Sequence, residues 1–268
     1  MHANSTSRPG WMKPALAGLL AVAILAGLAG AVLGNDEPKP TCPKVEAAAA
    51  DADHELLLLV DRSGSADNNQ RRAQQRSDIR WAVGQGVDKG VERFSVAYFD
   101  GSTASMRWNA CLDKVSLVPE GNNSINRKAN TPALIDDVVD EIVQHIGEAG
   151  GSGTDVFGAV AEAASVADQG SKDVQIVALT DGVGTAGCAR VDHIDQRSQQ
   201  TIDADVARCT EQLGGKLNGT AVSLIGVGRT SDELSSESVD WLIELNRQSC
   251  KATGADRCMV ATFHGGHL

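Results

Sequence analysis

The sequence predicts an α/β fold with a doubly wound, mostly parallel central sheet flanked by helices. Residues 55–61, ELLLLVD, form a continuous apolar run that ends in a carboxylate, which is typical of a strand buried on both faces, and residues 173–179, DVQIVAL, also predict a buried strand. Such runs alternate along the chain with stretches of helical periodicity, the pattern of βα units. The 268 residues leave room for one large α/β domain, or two small ones, plus appendages.

The composition excludes some classes of partner. The chain carries 24 Lys and Arg against 35 Asp and Glu, a formal net charge of −11. Nucleic-acid binding is not expected, because neutralising phosphates requires clustered basic residues. The aromatic share of 3% disfavours an aromatic-lined groove for sugars or peptides, whereas 42% hydrophobic residues suffice for a sizeable core.

An uncharged apolar run near the N-terminus predicts a membrane anchor over residues 14–34. As a helix this run spans about 30 Å, the thickness of the hydrocarbon core of a bilayer. Arg8 and Lys13 precede it and acidic residues follow it, so residues 1–13 are expected to be cytoplasmic and the remainder extracytoplasmic. A cleaved secretory signal peptide is the alternative, and the protein would then be secreted.

Residues 35–54 are expected to form a short extended linker, since they contain three prolines and an alanine-rich stretch. The folded domain is then expected to span residues 55–268. The remaining strands are predicted over 93–99, 221–227 and 259–263, with a weaker strand or hairpin pair over 105–110 and 114–118. Apolar spacing of three and four residues predicts the helices, which cover 68–91, 132–147, 154–167, 198–213 and 237–250.

All six cysteines follow the apolar run, and an even number on the exported side indicates disulfides. Sequence proximity suggests the pairs Cys188 with Cys209 and Cys250 with Cys258, which leaves Cys42 with Cys111. No C-x-x-C spacing occurs, so a zinc ribbon or a thioredoxin-type redox site is not expected.

Oxygen-bearing side chains are concentrated in three loops where a functional site is expected. In doubly wound sheets, ligands bind beyond the carboxyl ends of the strands, where the strand order reverses. Strand 55–61 runs into the D-x-S-x-S pattern of residues 61–65, residues 150–155 read GGSGTD, and strand 173–179 runs into Thr180-Asp181-Gly182. Carboxylates and hydroxyls without His or Cys suit a hard divalent cation such as Mg²⁺ and do not suit zinc or copper.

These loops carry a family resemblance. Residues 55–263 resemble a von Willebrand factor type A (vWA) domain, which has a Rossmann-like fold, and the three loops resemble its metal ion-dependent adhesion site (MIDAS). The resemblance implies bound Mg²⁺, or Mn²⁺ or Ca²⁺ in its place, with an acidic residue of a protein partner at the open coordination position. It implies a metal-ligand set consisting of Asp61, Ser63, Ser65, Thr154 and Asp181. The three hydroxyls would contact the metal, and the two carboxylates would hold it directly or through water.

Other interpretations of the same residues are possible. A metal-dependent hydrolase of the phosphatase or nuclease type would use Asp61 and Asp181 around Mg²⁺ to activate water. A structural module with a vestigial site is a further alternative, and the serines could simply cap the following helix. The chain lacks a G-x-S-x-G elbow and a phosphate-binding G-x-x-x-x-G-K-[ST] loop. Binding without turnover is therefore the predicted function.

Several other polar residues have simpler expected roles. Asp100 follows a strand and is expected to be a solvated loop carboxylate, with a place in the outer part of the site as the alternative. Asp155 is expected to interact with the N-terminal dipole of the next helix. The acidic residues within 136–141 are expected on a solvated helix face. His264 and His267 are expected to be solvated near the end of the chain.

Overall fold

A computed structural model describes residues 42–63, 69–146, 153–167, 170–191, 194 and 197–264. The predicted anchor over residues 14–34 lies outside these ranges. Among the described helices, none combines the length and the apolar character that crossing a bilayer requires.

A six-stranded sheet forms the centre of the domain. Its strands are β1 (His54–Asp61), β2 (Arg93–Phe99), β3 (Arg107–Trp108), β4 (Asp173–Leu179), β5 (Thr220–Ile225) and β6 (Arg257–Ala261). They lie in the order β3-β2-β1-β4-β5-β6, and every pair is parallel except β2 with β3. The predicted doubly wound, mostly parallel sheet is confirmed.

Helices cover both faces of this sheet. They are α1 (Asn69–Lys89), α2 (Ser124–Ile146), α3 (Val156–Val166), α4 (Gln199–Leu213) and α5 (Ser236–Ala252). One hydrophobic cluster packs α1 and α2 on one face, and a second packs α3, α4 and α5 on the other. Strand β1 serves both, because Leu57 and Leu59 belong to one cluster and Leu56 and Leu58 to the other.

Helix α2 begins eight residues before the predicted start at Pro132, which lies inside the helix. The prediction followed apolar spacing, and the early turns of this helix are polar and exposed. Local hydrogen bonds stabilise these early turns instead. Asn123 Oδ1 accepts from the Asn126 backbone N–H at 2.9 Å. Thr131 Oγ1 donates to the Arg127 carbonyl at 3.0 Å.

The predicted strand or hairpin pair over 105–110 and 114–118 is wrong in its extent. Only Arg107–Trp108 forms a strand, antiparallel to β2. The second stretch contributes single bridges, in which Val115 pairs with Phe94 and with Ala47. Asn109 Oδ1 accepts hydrogen bonds from the backbone N–H groups of Cys111 and Leu112, which turns the chain away from a regular ladder.

All three expected disulfides form, which are Cys42–Cys111, Cys188–Cys209 and Cys250–Cys258. Disulfides persist in oxidising compartments, so this pattern indicates an extracytoplasmic domain. Residues that precede Glu55 also contact the domain. Arg93 Nη2 donates to the carbonyls of Ala49 and Ala50 at 2.9 and 3.0 Å.

Candidate metal centre

The candidate site lies at the carboxyl edge of the sheet, between β1 and β4. The strand order reverses there, since the chain moves from β1 towards β2 on one side and from β4 towards β5 on the other. Val60 pairs with Leu179 at the ends of the two strands. The residues that follow, Asp61 on one strand and Thr180 and Asp181 after the other, therefore meet at this edge.

Asp61 is held by hydrogen bonds to both carboxylate oxygens. The Ser63 backbone N–H donates to Oδ1 at 2.8 Å, and Thr180 Oγ1 donates to Oδ2 at 2.8 Å. Gln75 of α1 donates from Nε2 to the Asp61 carbonyl at 3.2 Å. Asp61 and Ser63 are 6% and 7% exposed, so the carboxylate has a fixed orientation in a largely dry setting.

Asp181 starts the loop after β4. Its Oδ1 accepts from the Val183 backbone N–H at 2.9 Å, which bends the loop. Gly182 between them has φ +72°, and a Cβ there would lie 2.9 Å from Val227 Cγ1. Asn246 of α5 donates from Nδ2 to the Gly182 carbonyl at 3.0 Å. The loop therefore needs glycine at this position and is fastened to α5.

The two carboxylates make the pocket electrostatically unfavourable without a cation. Burial, and to a smaller extent the charge of Asp181, raises the pKa of Asp61 to about 7. Hydrogen bonds from Ser63 and Thr180 lower this pKa but do not offset the increase. A divalent cation would relieve the repulsion and favour the charged form of Asp61.

Three of the five predicted ligands, Asp61, Ser63 and Asp181, line one open pocket. Gln75 also lines it, and Gln75 Oε1 is buried without a hydrogen-bond partner among the described residues. An unpaired buried acceptor beside two carboxylates fits a hydrated cation, because water on a metal donates hydrogen bonds. The donor set is all oxygen and fits Mg²⁺, Mn²⁺ or Ca²⁺.

Of the other two predicted ligands, the structure describes only Thr154. Ser65 lies outside the described residues. Thr154 is buried at 3% exposure, and its N–H donates to Thr185 Oγ1 at 2.9 Å. It stands before α3 on a neighbouring loop and is not part of the pocket wall. Its role as a ligand stays a prediction.

Two loop aspartates connect this neighbouring loop to the sheet. The Asp155 N–H donates to the Asp100 carbonyl at 3.0 Å, and Asp155 Oδ1 caps α3 by accepting from the Gly158 N–H. Asp100 is 5% exposed and accepts a hydrogen bond from Ser105 Oγ. The expectation of a solvated Asp100 is wrong, because this loop folds over the carboxylate.

The acidic residues of α2 also differ from a uniformly solvated face. Asp136 and Asp140 are exposed and pair with Arg80 and Arg76 of α1. Glu141 is 4% exposed and accepts from Asn109 Nδ2 at 3.2 Å. The prediction is wrong for Glu141, which turns towards the sheet.

Sequence reasoning missed several residues of the site. In the sequence, Thr180 stands out only as the residue before Asp181, whereas the strand register places it opposite Asp61. Gln75 and Asn246 lie on helices, 14 residues after Asp61 and 64 residues after Gly182 respectively. Asp78 and Arg229 line the pocket as well, and neither belongs to a recognisable motif.

The sheet fits a Rossmann-like α/β fold. It has six mostly parallel strands with helices on both faces, and acidic and hydroxyl side chains follow β1 and β4.

No protein-family model matches the chain, and no curated protein matches it. Among solved structures, the pilus adhesin SpaC from Lactobacillus rhamnosus GG is 15% identical with a TM-score of 0.45, over 81% of this chain and 28% of that chain. The PilB minor pilin from Streptococcus sanguinis is 14% identical with a TM-score of 0.47, over 80% and 58%. The ArnB paralog VWA2 from Sulfolobus acidocaldarius is 15% identical with a TM-score of 0.40, over 83% and 44%. The chain therefore spans less than two thirds of each of these proteins.

Proposed function

We propose that this chain is an extracytoplasmic, membrane-tethered vWA binding module that uses a divalent cation at a MIDAS to bind an acidic residue of a protein partner. The observation that carries the proposal is the convergence of Asp61, Ser63 and Asp181 in one pocket at the carboxyl edge of the sheet. Residues 14–34 would supply the tether.

The protein's own residues would prepare the site for the cation. Thr180 and the Ser63 backbone hold the Asp61 carboxylate, and the Val183 N–H holds that of Asp181. Ser63, Ser65 and Thr154 would add neutral hydroxyl oxygens. A bound divalent cation would supply a Lewis-acidic position for an external carboxylate.

Charge favours an acidic ligand over other ligands. Where Asp61 or Asp181 holds the cation through water and the other protein ligands are neutral hydroxyls, a divalent cation keeps part of its positive charge. A carboxylate is therefore the natural ligand for the open coordination position. The open pocket leaves space for one entering side chain.

The proposal is tested with the full-length chain in detergent and the peptide acetyl-Gly-Asp-Gly-amide. Peptide binding is expected in Mg²⁺ and not in chelator, and its Asn analogue is expected not to bind in either. Asp61→Asn is expected to abolish binding, whereas Asp232→Asn, which changes an exposed aspartate that does not line the pocket, is expected to bind like the wild type. Equal binding in Mg²⁺ and in chelator would contradict the proposal.

A further inference from the structure

Arg229 gives the pocket a feature that the metal site does not use. Of the described residues that line the pocket, Arg229 alone is basic. It shares the wall with Asp61 and Asp181, the two predicted metal-binding carboxylates. A cationic side chain beside a cation site repels the cation and weakens its binding. We therefore expect Arg229 to have a role other than metal binding.

The backbone ties Arg229 directly to the metal site. The Arg229 N–H donates to the Gly226 carbonyl at 3.0 Å, closing a turn after β5. Within that turn, the Gly228 N–H donates to the Asp181 carbonyl at 2.8 Å. These two backbone hydrogen bonds therefore fix the position from which the Arg229 side chain extends, relative to Asp181.

The guanidinium is also held in place. Its Nη2 pairs with Asp78 of α1, which is buried, and its Cζ lies 5.3 Å from the centroid of the Phe263 ring. Gly226 has φ +100°, and a Cβ there would lie 2.9 Å from Arg229 Nη2. The side chain of Arg229 is only 14% exposed, so its rotamer is set before any ligand arrives.

A held guanidinium is well suited to recognise a second anion. It has five N–H donors in a planar fork and serves more than one oxygen partner. Its conformational entropy is already lost in the folded protein, so a ligand does not have to order it. Asp78 offsets part of its charge, which lessens its repulsion of a nearby cation.

We propose that Arg229 forms a second anion subsite of this pocket, so that the preferred partner segment carries two neighbouring carboxylates, one for the cation and one for Arg229. This inference rests on the function proposed above. It narrows the partner from any acidic residue to a paired acidic motif.

The experiment compares capped peptides on the full-length chain in Mg²⁺. The two-acid probes contain Asp-Asp and Asp-Ala-Asp, and the one-acid probes have either aspartate replaced by asparagine. At least one two-acid probe is expected to bind about tenfold more tightly than both of its one-acid counterparts. Equal affinities in the wild-type protein would overturn the inference.

Variants then assign the effect to Arg229. Arg229→Gln is expected to remove the advantage of the second carboxylate. Arg247→Gln makes the same charge change at the half-exposed pair with Glu244 on α5, and is expected to keep the advantage. Persistence of the advantage in Arg229→Gln would overturn the inference.

A milder variant covers a failure of Arg229→Gln to fold. Phe263→Leu removes the ring beside the guanidinium at a residue that is 63% exposed, and is expected to reduce the advantage severalfold. If the two-acid probes keep their full advantage over the one-acid probes in this variant, that would count against the claim that the ring holds the guanidinium in place to bind the ligand.

The results separate this inference from the function on which it rests. Binding of one-acid probes in Mg²⁺ without a two-acid preference would leave the proposed function intact and overturn only the second subsite. Failure of every probe to bind in Mg²⁺ would overturn both.

Discussion

Thr180 donates a hydrogen bond from Oγ1 to Asp61 Oδ2 at 2.8 Å and joins the ends of β4 and β1. The same oxygen accepts from the Gly182 N–H at 3.1 Å. One hydroxyl therefore orients the first predicted carboxylate and shapes the loop that carries the second. The proposed metal site would depend on this link as well as on its ligands.

Thr180→Val is expected to weaken both folding and metal binding. The buried Asp61 oxygen would lose its donor, which costs about 1–3 kcal/mol in the free energy of unfolding. Loss of a hydrogen bond that lowers the pKa of Asp61 would also raise the pH needed for Mg²⁺ binding. Urea denaturation and metal titration measure the two effects. Thr180→Ser keeps the hydroxyl and should show little of either, so equal effects in the two variants would contradict this role.

Metal affinity is expected to fall as the pH falls below about 7. Burial, with the charge of Asp181, raises the pKa of Asp61 in the metal-free protein to about 7, and the cation needs the carboxylate. Each pH unit below that value should weaken Mg²⁺ binding up to about tenfold while one proton is released. Titrations between pH 5.5 and 8.5 measure this slope, and a flat profile would contradict the assignment of Asp61.

As the pH rises, the free energy of unfolding in chelator is expected to fall, whereas the affinity for Mg²⁺ is expected to rise. The folded-state pKa of Asp61 lies above its unfolded value of about 4, so the folded protein binds the extra proton. The contribution of this group is therefore most favourable at low pH and is lost as the pH rises from about 4 to about 7. Asp61→Asn removes this contribution, so the difference in unfolding free energy between wild type and variant should change over that range. A constant difference would contradict the raised pKa.

Asn246→Ala is expected to loosen the loop after β4. Asn246 is 2% exposed and donates from Nδ2 to the carbonyls of Gly182 and Leu242. Removing a buried donor costs about 1–3 kcal/mol in the free energy of unfolding and should also weaken Mg²⁺ binding, since Gly182 follows Asp181. Asn130→Ala removes an exposed amide that donates to the Glu120 carbonyl and serves as the control. A loss of stability without any change in metal affinity would show that the contact acts on folding alone.

Loss of the Cys188–Cys209 disulfide is expected to destabilise the domain without removing the metal site. The bridge closes a separation of 21 residues and lies in the core cluster that packs α3, α4 and α5. The double variant Cys188→Ala with Cys209→Ala should lose about 3 kcal/mol. Urea denaturation measures the loss, and an unchanged midpoint would contradict a stabilising role.

The helices and strands were predictable where burial determines the order of apolar and polar residues in the sequence. Strands β2 and β4 have the predicted bounds because each is largely buried between helices on both faces. The start of α2 was not predictable from apolar spacing, because its first turns rest on Asn123 and Thr131 and not on packing. Val115 shows a similar limit, since an isolated bridge leaves no alternating pattern in the sequence.

The site was predictable only in part. The motifs single out Asp61, Ser63 and Asp181, because a carboxylate or hydroxyl directly after a buried strand is conspicuous in the sequence. Contacts across the fold are not visible in this way. Arg229 meets Asp78 of α1 from a turn that is 151 residues away in the chain, and no local pattern encodes this distance.

The most direct test of the metal centre is calorimetric titration of Mg²⁺ and Mn²⁺ into the metal-stripped, full-length chain in detergent. We expect saturable binding of one ion at pH 8, its loss in Asp181→Ala, and its retention in Asp232→Ala. Binding that survives unchanged in Asp181→Ala would contradict the assigned site, and the same is true of a wild-type chain that binds neither ion even with acetyl-Gly-Asp-Gly-amide present.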